Sequence, residues 1–171
     1  MTMRESREWR SSDNAFAVTL PVHVLQELDR LCKEQLEAET GGILVGQYSR
    51  DRKTAEVFKA YPPPNDSERG RHWFVRGTLG LAATLARLWK AKSQQYYVGE
   101  WHYHPSRDVS PSGKDNDQMR SIAKLNEYQC KDPILIIVGI STPDSSRPIS
   151  VTVYPDDANR TSLQEYCKTA D

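Results

Sequence analysis

The pattern of hydrophobic and polar positions changes period several times along the chain, and each change marks a boundary between predicted elements. Apolar residues at helical spacing predict a helix from Pro21 to Leu36 and a second from Thr78 to Lys92. Ser112, with Asp115 three positions later, predicts the N-cap of a third. Alternating or wholly apolar runs predict strands at 16–20, 41–49, 54–61, 96–104, 133–140 and 149–154, and a terminal helix is predicted at 161–168.

The length of the chain, 171 residues, predicts one compact domain. Residues 1–14 are polar and mixed in charge, so they are interpreted as a flexible N-terminal tail in which Trp9 is incidental. The domain itself is predicted to occupy residues 15–171, because no repeat, low-complexity tract or linker divides them.

Charge and cysteine content exclude several classes of protein. The formal net charge is zero, which provides no electrostatic footprint for nucleic acid or an anionic membrane. No apolar run approaches the roughly 18 residues of a membrane span, and residues 1–10 lack the apolar core of a secretory signal. The three cysteines are scattered, which predicts neither disulfides nor a cysteine zinc site. We therefore expect a cytoplasmic protein without nucleic-acid or membrane partners.

The candidate chemistry is concentrated between residues 99 and 115. On a strand, His102 and His104 point to the same side with Cα atoms roughly 6.6 Å apart, which allows both imidazoles to bind one metal ion. Asp115 follows shortly afterwards and completes a set of three ligands, which leaves a fourth position for water, as in catalytic zinc sites. Taken singly, an HxH pair occurs by chance and an SxxD pattern is usually a helix cap, so it is their joint occurrence that favours a metal site.

Two carboxylates are candidates for a general base beside this metal site. Glu100 lies two residues before His102 and faces the same side of a regular strand. Glu39 lies far upstream, before the glycine pair Gly41 and Gly42. The residues by themselves do not decide between the two.

Three motifs together resemble the signature of the JAMM metalloproteases, the JAB/MPN domain family, in which a glutamate precedes HxHP-x6-SxxD. They are Glu39-x-Gly41-Gly42, His102-x-His104-Pro105 and Ser112-x-x-Asp115, with matching order and spacing. The segments ETGGILVG and GEWHYHP are most similar to small bacterial JAB proteins, some of which are encoded beside E1/E2-like enzymes in antiphage systems of the cyclic-oligonucleotide type. The resemblance implies an α/β (α+β) fold with a mixed central β-sheet flanked by helices, in a cytidine-deaminase-like architecture.

The resemblance also implies a role for each motif residue. His102, His104 and Asp115 would hold one catalytic Zn²⁺. Glu39 would be the general base, and Ser112 would donate a hydrogen bond to the oxyanion. Glu100 then becomes a residue that orients a histidine.

The implied substrate is the amide bond after the C-terminal tail of a ubiquitin-like modifier, in a conjugate or a precursor, with E1/E2-like enzymes as further partners. Loop 62–76 is a candidate lid, with Trp73 or Arg76 as contacts, or alternatively a solvated connection. Other open alternatives are a non-catalytic scaffold of the same fold and a hydrolase of sulfur-carrier or small-molecule conjugates. A cytidine-deaminase activity is disfavoured, since the HxE…PCxxC pattern is absent.

Overall fold

The computed structural model describes residues 6–35 and 37–167. Eight strands form a closed barrel in the order β1-β10-β9-β8-β7-β3-β4-β2, and β5 and β6 form a separate two-stranded sheet. The helices are α1 (Val22–Lys33), α2 (Leu81–Lys90) and α3 (Gly113–Lys124). The strands, in chain order from β1 to β10, are Ser6–Arg10, Ala17–Pro21, Thr40–Tyr48, Thr54–Ala60, Glu68–Gly70, Trp73–Val75, Tyr96–Tyr103, Ile134–Val138, Ile149–Val153 and Thr161–Glu165.

The mixed α/β fold and most of the predicted elements are confirmed. The six predicted strands are all present, with ends within two residues of the predicted ones, and the three internal helices are present in shorter form. Leu36, at the predicted end of the first helix, lies outside the described residues. The resemblance implied a mixed central sheet flanked by helices in a cytidine-deaminase-like architecture, whereas the sheet of this structure closes into an eight-stranded barrel.

Both ends of the chain differ from the prediction, and together they close the barrel. Residues 6–10 form β1 instead of a flexible tail, and Trp9 is buried in the core. Residues 161–165 form β10 instead of a helix, and β10 pairs with both β1 and β9. Each strand satisfies the backbone groups of the other, an effect that a local pattern cannot reveal. Residues 1–5 and Lys168 lie outside the described residues.

Two hydrophobic clusters divide the core. The inner cluster draws residues from all eight barrel strands and from α1, and it includes Trp101 and Tyr103. The outer cluster lies on the opposite face of the sheet, where Leu81 of α2 and Met119 and Ile122 of α3 contribute. Strand β8 is buried along its whole length, as its apolar sequence predicts. Among the described residues, no helix combines the length and apolar character that crossing a membrane requires.

Strand β7 contains an irregularity that re-aims its side chains. Leu44 of β3 pairs with Gly99, but the next residue, Val45, pairs with Tyr97. Val98 therefore has no partner on β3 and is an extra residue in the ladder. Such a bulge reverses the alternation of side chains beyond it. A Cβ atom on Gly99 would lie only 2.0 Å from the Ile134 carbonyl oxygen, so glycine allows the close approach of β8.

Candidate metal centre and catalytic site

The three predicted metal ligands come together at one end of β7. Each of His102, His104 and Asp115 offers a ligand atom, and these atoms all lie within 4.8 Å of one another. Asp115 Oδ1 lies 2.8 Å from His102 Nδ1, and Asp115 Oδ2 lies 3.6 Å from His104 Nε2. All three side chains are buried. The grouping that the spacing predicted is therefore present in the structure.

Local structure explains why these side chains converge. Trp101 and Tyr103 belong to the inner cluster, so the alternation of the strand places His102 on the outer face and His104 follows it on that side. Asp115 occupies the third position of α3 and its Oδ2 accepts the Ser112 N–H at 2.7 Å, while Ser112 Oγ accepts the Asp115 N–H at 3.1 Å. This reciprocal capping box fixes the start of α3 beside the histidines.

The donor set fits a metal ion. Among the described side chains, His102 Nε2 and His104 Nε2 are the buried polar atoms without a hydrogen-bond partner. A buried unsatisfied group costs about 1–3 kcal/mol and calls for an explanation. Two imidazoles and one carboxylate match the ligand types of a three-ligand catalytic zinc site, and a bound ion would satisfy atoms that the protein leaves unpaired.

The charges within this group favour an ionised carboxylate. Burial alone would raise the pKa of Asp115, but its hydrogen bond with His102 and its proximity to His104 outweigh burial and hold that pKa well below its usual range. Burial would also lower the pKa of His104, yet the nearby Asp115 carboxylate and the charge of Glu39 raise it above the ordinary histidine value. Asp115 is therefore in the form that binds a metal cation.

Glu39 lies in the electrostatic field of the three ligands. Burial raises its pKa above the usual value for a glutamate, and the charge of Asp115 also raises it, while His104 and His102 act in the opposite direction. Its backbone N–H donates to the Gly70 carbonyl oxygen at 2.8 Å, which ties the start of β3 to β5. A carboxylate with a raised pKa near a metal-ligand group has the property that a general base needs.

The glycine pair after Glu39 allows close packing of β3 at the site. A Cβ atom on Gly41 would lie 2.4 Å from the Trp101 carbonyl oxygen and 2.7 Å from the His102 ring. A Cβ atom on Gly42 would lie 2.1 Å from the Tyr61 carbonyl oxygen. A larger side chain at Gly41 would push β3 away from β7, and one at Gly42 would collide with the chain that follows β4, so the glycines keep the start of β3 close to His102.

Glu100 is not available as the base, because it is committed to a buried ion pair. Arg76 Nε lies 2.9 Å from Glu100 Oε1 and 2.8 Å from Oε2, and the Tyr97 hydroxyl donates to Oε1 at 3.0 Å. Arg76 is likewise buried, so its predicted role as a substrate contact is wrong. The sequence carried no signal for this pairing, since residues 24 positions apart meet only through the tertiary fold.

Loop 62–76 is partly ordered into the β5–β6 hairpin beside the site. Phe74 packs edge-on against the His102 ring with centroids 5.5 Å apart, a contact that sequence reasoning missed. Trp73 is 38% exposed, and the Lys114 ammonium lies 5.9 Å from its ring centroid. The hairpin is therefore more than a solvated connection, and Trp73 is the residue of this segment that stays accessible beside α3.

The two buried cysteines have no nucleophilic character. Burial raises the pKa of the Cys32 thiol to about 12 and that of Cys130 to about 11, so both are protonated at neutral pH. Cys32 packs in the inner cluster, and Cys130 packs in the outer one.

Comparison with known proteins shows which family has this fold and site. Residues 21–151 match the model of the prokaryotic homologues of the JAB domain. The chain belongs to this family, as its motifs predicted. A relative from Enterobacter hormaechei subsp. hoffmannii (strain UCI 50), named "CD-NTase/cGAS isopeptidase", is 40% identical over 146 residues, which cover 85% of this chain and 79% of the relative.

Two further similarities are more distant. A protein of the same name from Pseudomonas aeruginosa (strain BWHPSA011 / Pa011) is 25% identical over 139 residues, covering 80% of this chain and 86% of the relative. The solution structure of protein DSY2949 from Desulfitobacterium hafniense superposes with a TM-score of 0.59 at 17% identity, covering 84% of this chain and 86% of that one. At this identity the structural similarity shows the fold alone.

Proposed function

We propose that this protein is a zinc-dependent isopeptidase. The observation that supports this most directly is the buried His102–His104–Asp115 group, which leaves both Nε2 atoms unpartnered next to a glutamate with a raised pKa. Membership in the JAB family supports the same reaction class, as does the name of the 40%-identical relative, which is called an isopeptidase.

The residues would share the work of amide hydrolysis. His102, His104 and Asp115 would hold the ion, which when bound supplies Lewis-acid polarisation of the scissile carbonyl and of the attacking water. Glu39 accepts the proton of that water and delivers it to the leaving amine. Ser112 Oγ already accepts the Asp115 N–H, so its hydroxyl proton is free to form a hydrogen bond to the oxyanion.

The proposed substrate is a conjugate in which the C-terminus of one protein is joined to another protein by an isopeptide bond. A ubiquitin-like modifier is one candidate, presented as an extended tail that pairs with an edge of the β5–β6 hairpin. The names of the relatives favour a conjugate that contains a CD-NTase/cGAS-type enzyme. With this substrate, the protein would act in the cytoplasm in an antiphage system with E1/E2-like conjugating enzymes.

The test is a cleavage panel with matched variants. Purified protein is incubated with isopeptide conjugates of ubiquitin-like proteins and of a CD-NTase, with and without a chelator, and its zinc content is measured. We expect about one zinc per chain, as for a three-ligand site, and cleavage that the chelator abolishes.

Two variants separate the roles within the site. Glu39→Gln should retain zinc and lose cleavage, whereas His102→Ala should lose both. Full cleavage by either variant would contradict the proposed mechanism. Retained zinc without cleavage of any conjugate in the panel would favour the non-catalytic scaffold.

A further inference from the structure

The segment from Asp66 to Leu79 is a closed loop that carries the β5–β6 hairpin. The Asp66 carboxylate accepts the backbone N–H groups of Thr78 and Leu79, each at 3.0 Å, and Ser67 Oγ accepts that of Gly77 at 2.9 Å. These side-chain to backbone bonds join the two ends of the segment. The hairpin is thus a preformed unit whose placement depends on how it is fastened to the barrel.

One side of this hairpin lies against the catalytic residues. The Gly70 carbonyl oxygen of β5 accepts the backbone N–H of Glu39 at 2.8 Å. Phe74 of β6 meets the His102 ring edge-on at a centroid distance of 5.5 Å. A shift of the hairpin would therefore move the proposed base and release one face of a proposed metal ligand.

The hairpin is also held to the barrel by the Arg76–Glu100 ion pair. The two side chains are 3% and 0% exposed, and Arg76 Nε lies within 2.9 Å of both carboxylate oxygens of Glu100. Arg76 also donates to the Gly77 carbonyl oxygen at 2.8 Å and to the Tyr128 hydroxyl at 2.6 Å. Glu100 stands on β7 two residues before His102, so the pair connects the hairpin to the strand that carries the metal ligands.

Stability alone is a poor explanation for this pair. Desolvation of two charges costs about as much as their attraction returns, and apolar residues of similar volume are often as stabilising or more so. The planar guanidinium of a buried arginine does, however, fix its distance and orientation relative to the carboxylate that it binds. The pair therefore fits a function in which the position of the hairpin matters.

We propose that Arg76 and Glu100 are positioning residues, whose buried ion pair fixes the β5–β6 hairpin against β7 so that Glu39 stays in register with the metal-ligand group. The effect on the reaction rests on the proposed function, whereas the effect on the placement of the hairpin does not. Misplacement of a catalytic group by about 1 Å can cost on the order of 100-fold in rate.

The first test compares Arg76→Met with a control. Arg147→Met is the matched control, since Arg147 is also largely buried and pairs with a carboxylate, Asp29, and a carbonyl oxygen, that of Gly139. Well below the melting temperature, we expect Arg76→Met to lower kcat about 10- to 100-fold with KM changed less than about 3-fold. Its affinity for Co²⁺ alone should change by a smaller factor than kcat, because His102 and His104 lie at the end of β7 and Asp115 lies on α3, outside the hairpin.

A double variant separates positioning from stability. Arg76→Met/Glu100→Leu replaces the pair by apolar side chains, which should restore much of the melting temperature lost by Arg76→Met. The positioning role requires that kcat stay low in this double variant. Recovery of kcat together with the melting temperature would overturn the proposal, as would a kcat for Arg76→Met equal to that of Arg147→Met.

A hydrogen-exchange measurement tests the placement without reference to activity. Arg76→Lys keeps the positive charge but loses the planar set of guanidinium donors. In this variant, the backbone amides of Glu39 and of residues 68–75 should exchange at least several-fold faster than in the wild type. Arg147→Met should leave these exchange rates unchanged. Unchanged exchange in Arg76→Lys would overturn the proposal. If the wild type cleaved no conjugate, the proposed function would fail while this measurement would still decide the role of the pair.

Discussion

The two faces of β7 have opposite chemistry although both belong to one eight-residue strand. The inner face presents Val98, Trp101 and Tyr103 to the inner cluster. The outer face presents polar side chains, among them Glu100 and His102. Both faces are buried, so burial does not distinguish them.

The difference lies in how the polar atoms are satisfied. Trp101 Nε1 donates to the Tyr61 carbonyl oxygen at 2.8 Å, and Glu100 is matched by Arg76 and Tyr97. His102 Nε2 has no partner among the described residues. Neighbouring buried polar groups therefore have different roles. A group with hydrogen-bond partners in the protein stabilises the fold, whereas a buried group without such a partner indicates a ligand site.

The largest effect that separates the two faces is expected at Trp101. Trp101→Ala removes a fully buried ring from the inner cluster and should lower the free energy of unfolding by about 3–5 kcal/mol. Thermal and denaturant unfolding measure this loss. The folded fraction should keep its affinity for Zn²⁺, and a loss of zinc binding at full folding would show that the two faces are not separable.

A slightly smaller effect is expected at Ser112, which is linked to the outer face. Ser112→Ala should lower kcat about 100- to 1000-fold through loss of the oxyanion donor. It should also cost about 1 kcal/mol of stability, because the Asp115 N–H loses its cap. Ser121→Ala is the control, since Ser121 is exposed on α3 and donates to the Asp117 carbonyl oxygen. Equal kcat values for the two variants would remove Ser112 from the mechanism.

The smallest effect is a pH dependence of the metal-free protein that originates on the outer face. The pKa of His104 is raised in the folded state, so its contribution to stability is fully present below the unfolded value of about 6.5 and is lost as the pH rises through the folded value. The melting temperature of the chelated protein should therefore fall as the pH rises above about 6.5, whereas Zn²⁺ affinity should rise as His104 loses its proton.

Two histidine variants check the origin of this dependence. His104→Gln should weaken the change of melting temperature with pH. His23→Gln should leave it intact, since His23 is exposed and contacts the Phe58 carbonyl oxygen instead of the site. An unchanged dependence in His104→Gln would assign the titration to another group.

The sequence by itself determined most of the internal elements and the metal-ligand group. Alternation places His102 and His104 on one face, and the capping box places Asp115 in the first turn of α3, so both features follow from short-range geometry. Glu39 required the resemblance to a family, because no local rule connects a residue before β3 with a histidine on β7. The structure brings it into the field of the same histidines.

The tertiary structure decided what depends on distant pairing. The strands at the two ends of the chain form because each supplies hydrogen bonds to the other, and the barrel closes only through them. The bulge at Val98 turns Tyr97 and Glu100 to the same side, and Glu100 then meets Arg76 from a separate hairpin. Strict alternation places Glu100 on the same face as the histidines and made it a candidate base, and only the assembled fold shows that Arg76 binds its carboxylate.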